Sequence, residues 1–291
     1  MSSASPRKVV LISDTHLSSK DRLLVDNWTA TARWIERVQP DLVVHLGDIT
    51  ANGAHGAGEL AFAREVFRQS GIDICFLPGN HDIGDHAPGP APGLDADDPF
   101  DLGRLDEFRA VFGPDRWAID LGGWRLIGLD APLMATGLAE EAVQAAWLAT
   151  ALEGHDGPLG LFLHKPLFRN ALEEDDIHTR YVPLAARLRL MAALATQDLR
   201  FVAAGHTHQV RQIVSGGVEH VWAPSTAFTV PEFRQETIGE KLVGVMVLDF
   251  ADGGHRFSHV VPAGMKSHSL MDFEHIYPAL ADIRPPGSFD I

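Results

Sequence analysis

The sequence contains a single cysteine, Cys75, so no disulfide can form within the chain. Because Cys75 lies in the middle of an apolar run, we expect it to be a small buried hydrophobic residue. No apolar run approaches the roughly 18 residues that a membrane-spanning helix needs, and none precedes the first predicted strand. We therefore expect no membrane partner, no secretory signal and a cytoplasmic location.

Basic residues are also scarce, with 24 Lys and Arg against 39 Asp and Glu and a formal net charge of −15. Nucleic-acid backbones are bound by clustered Lys and Arg, so we do not expect a nucleic-acid partner. The hydrophobic share of 45% is sufficient for a sizeable core. No linker or internal repeat divides the chain. We predict one domain over residues 1–263 and a C-terminal extension over 264–291 that packs on the body or on a second subunit.

Five short apolar runs stop at residues that can bind a metal ion, and they cover residues 9–12, 42–44, 74–77, 161–163 and 201–203. Runs rich in Val, Ile and Leu are typical of strands buried on both faces. Ligands bind outside the carboxyl ends of such strands in open α/β sheets. We therefore expect one edge of the fold to collect the polar residues that follow the runs, which are Asp14, His16, Asp48, Asn80, His81, His164, His206 and His208.

Helices alternate with these strands in the first half of the chain. The spacing of apolar residues predicts helices over 23–38 and 60–69, and the alternation implies right-handed crossovers and parallel strands. Residues 84–101 contain four prolines and follow the Asn80-His81-Asp82 block directly. A long loop at that place is a candidate lid or pocket wall.

The second half mixes helices with antiparallel strands. Gly122-Gly123 predicts a hairpin between strands 117–120 and 124–129. Helices are expected over 185–195 and over 139–152, the latter with an inward face of Val143, Ala146, Trp147 and Ala151. Antiparallel strands are expected over 210–214, 218–222 and 242–250, with a last strand over 257–261. The chain is thus predicted to be an α/β protein with two mixed sheets and helices outside.

The predicted ligands are oxygen and imidazole groups without a thiolate, a set that suits Mn, Fe, Zn or Co. Seven such groups are too many for one ion and about right for two that share the carboxylate of Asp48. Two ions roughly 3.5–4 Å apart can clamp the attacking and leaving oxygens of a displacement at phosphorus and activate a bridging water. His81 lies next to a predicted ligand and outside the set of seven, and it is the candidate acid near the leaving oxygen.

The motifs Asp14-Thr15-His16, Gly47-Asp48, Gly79-Asn80-His81-Asp82, His164 and Gly205-His206-Thr207-His208 resemble the five blocks of the calcineurin-like metallophosphoesterases, in order and approximate spacing. Within that superfamily the sequence is most similar to the bacterial class III cyclic nucleotide phosphodiesterases and their glycerophosphodiesterase relatives. The resemblance implies a four-layer αββα sandwich and a homo-oligomer. It also implies one ion on Asp14, His16, Asp48 and His208, a second on Asp48, Asn80, His164 and His206, and His81 as catalytic histidine.

Two departures from family patterns bear on the substrate. Lys165 follows His164 where the family often has a second histidine, and it could meet substrate phosphate or be solvated. Ile49-Thr50 and Asp82 stand where the protein serine/threonine phosphatases of the superfamily have Asp-Arg-Gly and Glu, so protein phosphatase activity is not expected. Weaker candidates for substrate contacts are His86, His178 and Arg180, whereas His45 is expected in the core.

The expected function is a binuclear-metal phosphohydrolase that cleaves a small phosphodiester, either a cyclic nucleotide or a glycerophosphodiester. The resemblance implies in-line attack by a metal-bridging hydroxide, without a covalent enzyme intermediate. Three alternatives use the same fold. They are a phosphomonoesterase, a nuclease, and a protein-interaction module without catalysis.

Overall fold

The computed structural model describes residues 7–56, 58–86, 98–174, 180–251 and 254–282. In these ranges the strands form two mixed sheets, with orders β11-β10-β1-β2-β3 and β4-β5-β6-β7-β9-β8. The strands are β1 Arg7–Ile12, β2 Leu42–His45, β3 Cys75–Phe76, β4 Trp117–Leu121, β5 Trp124–Gly128, β6 Pro158–Leu163, β7 Asp198–Ala204, β8 Arg211–Ser215, β9 Val218–Trp222, β10 Val245–Ala251 and β11 Gly254–Val260.

The helices are α1 Arg22–Val38, α2 Glu59–Ser70, α3 Asn80–Ile83, α4 Leu102–Phe112, α5 Ala139–Leu152 and α6 Leu184–Ala193. Two 3-10 helices follow near the end of the chain, Leu270–Phe273 and Pro278–Asp282. Helix α1 begins at Asp21, whose side chain accepts a hydrogen bond from the Leu23 N–H, and it ends at Gln39 in the left-handed conformation. Within the described ranges, every helix is too short or too polar to cross a membrane.

Three apolar clusters separate four layers. Alternate residues of a strand point to opposite faces, so Val10 and Ile12 of β1 pack under α1, α2 and α4. The intervening Val9 and Leu11 pack between the two sheets. A third cluster lies between the second sheet and helices α5 and α6. Each fully buried side chain of this kind contributes about 1.5–3 kcal/mol. The predicted αββα sandwich of two mixed sheets is confirmed.

The antiparallel strands expected after His208 are confirmed: β8 pairs with β9, and β10 pairs with β1 and β11, all antiparallel. Strand β9 also pairs with β7 in parallel. The predicted inward face of α5 is wrong in part: Trp147 and Ala151 pack against the core, but Val143 is 47% exposed, and Gln144, Leu148 and Leu152 are the buried residues. Gln144 points inward because its side chain exchanges two hydrogen bonds of 2.9 Å with the backbone of Asp130.

The C-terminal extension packs on the body as far as the structure describes it. Phe273 and Ile276 are 0% and 2% exposed and join the cluster under α1. The Asn27 side chain donates to the Lys266 carbonyl over 3.0 Å and accepts from its N–H over 2.8 Å. Residues 283–291 lie outside the described ranges, and contact with a second subunit stays a prediction.

Most of the candidate lid, residues 87–97 of 84–101, also lies outside the described ranges. Its two ends are joined by backbone hydrogen bonds: Asp85 N–H donates to Asp98 O over 2.7 Å, and Phe100 N–H donates to Asp85 O over 2.6 Å. The segment therefore leaves and returns at one place in the fold.

Candidate metal centre

The eight predicted site residues meet at one edge of the sandwich. Each lies just beyond the carboxyl end of a parallel strand, three strands belonging to the first sheet and two to the second. Asp14 and His16 follow β1, Asp48 follows β2, Asn80 and His81 open α3 after β3, His164 follows β6, and His206 and His208 follow β7. Both sheets present these ends on the same side, as expected for a ligand site.

Three overlapping groups of ligand atoms form at this edge, each with its atoms within 4.8 Å of one another. They are Asp14, His16 and His208; His16, Asp48 and His81; and Asp48, His164 and His206. Asn80 adjoins the third group, with its Oδ1 2.9 Å from His164 Nε2. The described residues therefore offer more ligand atoms than one ion needs.

Asp48 belongs to the second and third groups. Its Oδ1 lies 3.2 Å from His164 Nε2, and its Oδ2 lies 3.9 Å from His16 Nε2. The two oxygens of one carboxylate thus face histidines from different groups. This is the arrangement that a carboxylate bridging two ions requires.

The hydrogen bonds behind the histidines determine which nitrogen is free to bind. His164 Nδ1 lies 3.0 Å from the Leu46 carbonyl oxygen, and His208 Nδ1 lies 2.9 Å from that of Phe228. Because a carbonyl only accepts, each Nδ1 carries a proton and a neutral ring keeps its lone pair on Nε2. In a neutral ring the His164 Nε2 lone pair would face a carboxylate oxygen of Asp48, acceptor against acceptor. A cation between the two atoms, either a proton on Nε2 or a metal ion, resolves this repulsion, so the donor set fits a metal centre.

The pKa shifts agree with a site that attracts positive charge. Burial opposes protonation of His164, but the charges of Asp48 and Asp14 prevail and raise its pKa to about 9. Burial also raises the pKa of Asp48, yet His164 and His81 hold it well below its usual range. His206 has its pKa lowered chiefly by burial. Its Nε2 is buried without a hydrogen-bond partner in the described residues.

The backbone is strained at several of the predicted ligands. Among the described residues, the non-glycine positions with positive φ are Asp14, His16, Gln39, Asp48, Ala135, His206 and His208. Five of these seven are predicted ligands. The left-handed region costs about 1–3 kcal/mol for such residues and is concentrated at functional sites. Strain at so many of the predicted ligands indicates that their orientation is imposed by the surrounding structure.

The motif glycines allow the backbone to approach the ligands. A methyl group on Gly79 would lie 2.8 Å from Asp48 Cγ and closer still to its backbone nitrogen and Oδ1. One on Gly205 would lie 2.7 Å from Asp14 Oδ2 and closer to Ser13 Oγ. Gly47 has a φ of +107°, and a methyl group on it would lie 2.7 Å from His164 Nδ1. These contacts explain why the three motifs contain glycine.

Asp82 joins the second and third motifs. It is fully buried, and its carboxylate accepts backbone N–H groups of Ile49, Thr50 and Gly79 over 3.1, 2.9 and 2.9 Å. Burial and the charge of Asp48 raise the Asp82 pKa to about 6. The sequence comparison with protein phosphatases singled out this position without indicating its structural role.

Lys165 was expected either to meet substrate phosphate or to be solvated, and the structure shows neither. It does not line the cleft above the candidate metal centre, which is described below. It is 0% exposed, and its Nζ lies 2.6 Å from Asp85 Oδ2 and 3.3 Å from His86 Nδ1. Asp85 is 1% exposed. Burial raises the pKa of its carboxyl, but Lys165 and His86 outweigh burial and lower that pKa overall. His86 is therefore part of a buried ionic cluster. His178 lies outside the described residues.

A cleft of about 430 Å³ lies above the centre. Its floor contains His16, Asp48, Asn80, His81, His206 and His208. Asp14 and His164 lie beneath this floor. One wall is apolar and comes largely from the C-terminal extension, through Leu270, Ile276, Tyr277, Pro278 and Leu280. The other walls carry Arg180, Arg234 and the ion pair between His55 and Asp98.

Sequence reasoning missed Tyr277 entirely. Its hydroxyl lies 3.0 Å from His16 Nδ1, and its pKa is raised well above the usual range by burial and by the charges of Asp48 and Asp14. The residue lies in a polar extension without helical or strand periodicity, so no local signal marked it. Only the path of the chain back across the cleft places it there.

Comparison with known proteins supports this picture. A protein named probable glycerophosphodiester phosphodiesterase GpdQ, from Arcobacter nitrofigilis, is 28% identical over 217 residues, covering 69% of this chain and 72% of that protein. A protein named probable cyclic nucleotide phosphodiesterase, from Fibrobacter succinogenes, is 29% identical over 172 residues, covering 55% of this chain and 57% of that protein. The second alignment thus spans little more than half of the relative.

A solved structure shares the fold. A dimetal phosphatase from Danio rerio has a TM-score of 0.60 at 13% identity, over 87% of this chain and 95% of that one. At this identity the likeness concerns the fold alone. The calcineurin-like phosphoesterase family model matches residues 7–210, which include all eight predicted site residues. The family predicted from the order of the motifs is confirmed, and the chain belongs to the calcineurin-like phosphoesterases.

Proposed function

We propose that this chain is a phosphodiesterase that depends on two metal ions and hydrolyses a small phosphodiester, either a cyclic nucleotide or a glycerophosphodiester. The observation that carries the proposal is the position of Asp48, whose two oxygens face two separate histidine groups. The names of the two bacterial relatives support the choice of a diester. The cleft volume falls in the range of small-molecule sites, about 300–1,000 Å³.

We assign the first ion to Asp14, His16, Asp48 and His208, and the second to Asp48, Asn80, His164 and His206. When bound, two such ions act as Lewis acids on phosphoryl oxygens and lower the pKa of a coordinated water. Mn, Fe, Zn and Co all remain candidates, because every ligand is an oxygen or an imidazole nitrogen. The protein contributes the strained ligand loops and the carbonyls of Leu46 and Phe228, which fix the ring orientations.

His81 is the proposed acid for the leaving oxygen. Its backbone N–H donates to Asp48 Oδ1 over 2.9 Å, and its Nδ1 lies 2.9 Å from the Ala51 carbonyl oxygen. These two contacts hold the ring on the cleft floor, with its centroid 4.8 Å from that of His16. Because Nδ1 is engaged by a carbonyl, Nε2 is the atom that can pass a proton to substrate, and it does so when the ring is in its doubly protonated imidazolium form.

The composition of the cleft walls favours a substrate with a small leaving group that has both polar and apolar surface. Residues from the extension, among them Leu270 and Ile276, supply an apolar surface, while Arg180 and Arg234 place positive charge on another wall. In a chain with a net charge of −15, two arginines beside the centre would favour an anionic substrate. The same charge balance gives no extended basic track for a nucleic-acid strand.

The decisive experiment is a substrate panel on protein stripped of metal and reloaded with Mn²⁺. It includes cyclic nucleotides, glycerophosphodiesters and aryl phosphodiesters, with the matching phosphomonoesters run in parallel. We expect metal-dependent turnover, with diesters preferred. Faster hydrolysis of every monoester would make the chain a phosphomonoesterase. Metal binding without turnover of any ester would favour the non-catalytic alternative.

Asp48→Asn tests the shared carboxylate. We expect the variant to lose the binding of one ion in a calorimetric titration and to lose turnover, because an amide offers one neutral oxygen where two charged ones are needed. Retention of both ions with full activity would contradict the bridging assignment. The cytoplasmic location and the homo-oligomer stay predictions, which cell fractionation and analytical ultracentrifugation can check.

A further inference from the structure

The C-terminal extension contributes one polar atom to the metal centre. The Tyr277 hydroxyl lies 3.0 Å from His16 Nδ1. The Tyr277 ring stands edge-on to that of His81, with centroids 5.9 Å apart. Tyr277 lies beyond residues 7–210, over which the family model matches. The contact thus joins a segment outside the family match to a predicted ligand inside it.

Tyr277 is held in place by its neighbours in the extension. Its N–H donates to the Phe273 carbonyl over 3.0 Å, and both Phe273 and Ile276 are buried in the core under α1. Upstream, Asn27 fixes the backbone of Lys266 through two hydrogen bonds. Because the segment is already anchored, the bond to His16 requires little further loss of conformational freedom.

The tautomer of His16 depends on what its Nδ1 contacts. His16 Nε2 is the atom that faces the centre, 3.1 Å from His208 Nε2. It presents a lone pair to an ion only when Nδ1 carries the proton. At His164 and His208 a backbone carbonyl accepts that proton. At His16 the corresponding acceptor is the hydroxyl oxygen of Tyr277.

We propose that Tyr277 is a positioning residue for His16: its oxygen accepts the Nδ1 proton and thereby aims Nε2 at the ion shared with Asp14 and His208. The inference rests on the proposed metal centre. It makes the docked extension a condition for tight binding of the first ion. It also predicts that the second ion is unaffected, because Asp48, Asn80, His164 and His206 make no hydrogen bond to the part of the extension that the structure describes.

Tyr277→Phe is the direct test, because it keeps the ring and removes only the oxygen. Loss of a group that orients a metal-binding histidine typically weakens metal affinity 10–100-fold. In calorimetric titration of the metal-stripped full-length chain with Mn²⁺, we expect one ion to bind about 10–100-fold more weakly and the other to bind as in the wild type. Excess Mn²⁺ should restore kcat and leave KM unchanged, which a damaged fold would not do.

Two control variants separate the hydroxyl effect from general damage. Tyr181→Phe removes the other tyrosine hydroxyl of the chain, which belongs to a residue that packs beside Trp222 and does not line the cleft. His275→Ala removes the contact of 2.9 Å between the extension and Asp21 without touching the centre. Both should bind two ions with wild-type affinity. The visible spectrum of the Co²⁺-loaded protein should change only in Tyr277→Phe.

Wild-type affinity for both ions in Tyr277→Phe would overturn the inference. A raised KM with normal metal binding would also overturn it, since Tyr277 would then contact substrate instead of positioning His16. Failure of the proposed function gives a different pattern. If the wild-type chain binds two ions and hydrolyses no phosphodiester, the function is wrong, while the titration still decides the role of Tyr277.

Discussion

Gly79→Ala should disable the metal centre without altering any ligand. The backbone of Gly79 has φ −112° and ψ 177°, which alanine adopts freely, so the effect is purely steric. The added methyl carbon would lie 2.8 Å from Asp48 Cγ, where ordinary contact begins at 3.4 Å, and its approach to Asp48 N is closer still. The second and third motifs must therefore separate by more than half an ångström.

That displacement has two measurable consequences. Overpacking of this kind costs about 1–3 kcal/mol, which corresponds to a fall in melting temperature of roughly 2–6 °C for a chain of this size. Metal sites tolerate only about 0.2 Å in ligand distance. Asp48 is the shared ligand in our assignment, so both ions should bind about 10–100-fold more weakly.

Differential scanning calorimetry of the metal-free protein and titration with Mn²⁺ measure the two effects separately. Gly254→Ala is the matched control, because a methyl group there would lie 3.6 Å from the Ala251 oxygen, an ordinary contact. It should change neither quantity noticeably. If Gly79→Ala bound both ions with unchanged affinity, the close approach of Gly79 to Asp48 could not be what requires glycine at this position.

His81→Ala should keep both ions and lower the rate of hydrolysis of alkyl diesters about 10²–10⁴-fold. Aryl diesters with good leaving groups should lose less rate, since their leaving groups need no proton, and an equal loss for all esters would refute the acid role. Lys165→Met leaves the buried Asp85 carboxylate without its lysine partner and with only His86 beside it, at a cost of up to about 3–5 kcal/mol in unfolding free energy. Adding Asp85→Asn should recover part of that loss in urea unfolding, and simple additivity would contradict the pairing. Burial lowers the pKa of His220 from 6.5 to about 4, so the unfolded chain binds a proton that the folded chain excludes. The contribution of His220 to the free energy of unfolding is fully present above pH 6.5, and up to about 3 kcal/mol of it should be lost as the pH falls to 4. The free energy of unfolding should fall less steeply over the same pH range in His220→Gln.

The sequence predicted that the candidate ligands meet at one edge of the fold because the relevant signals are local. An apolar run predicts a buried strand, and the polar residue that ends it must then lie at the strand terminus. That reasoning applies separately at Asp14, Asp48 and His164, and parallel strands bring such termini to one edge. The same locality explains why the bounds of α5, predicted over 139–152, agree with the structure.

The expectations that failed depended on tertiary contacts. Gln144 is buried because it binds the backbone of Asp130, fourteen positions away, and helical periodicity favoured the apolar Val143 instead. Lys165 meets Asp85 across eighty positions of sequence. A lysine beside a ligand in a single sequence gives no sign of which distant carboxylate will neutralise it. Tyr277 and His16 are separated by 261 positions, and no pattern in the sequence relates them.

The strained ligand residues are stabilised by hydrogen bonds that continue the strand pairing beyond the strands. His16 N–H donates to Asp48 O over 3.1 Å, and Asp14 N–H donates to Gly47 O over 3.0 Å. These bonds extend the parallel pairing of β1 and β2 into the two ligand loops, although the residues have left the extended conformation. Backbone bonds of this kind, worth about 0.5–1.5 kcal/mol each, offset the cost of left-handed residues.

The two sheets are joined at the same place. Ser225 and Thr226 follow β9 of the second sheet, and Ser13 and Asp14 follow β1 of the first. The Thr226 N–H donates to the Ser13 carbonyl over 3.0 Å, and the Ser225 hydroxyl donates to the Asp14 carbonyl over 2.9 Å. Gly205 N–H donates to His164 O over 2.9 Å within the second sheet. Because ligands from both sheets are tied through their backbones, their spacing depends on how the sheets pack. A substitution that changes the inter-sheet core should therefore alter metal affinity even when it lies far from every ligand.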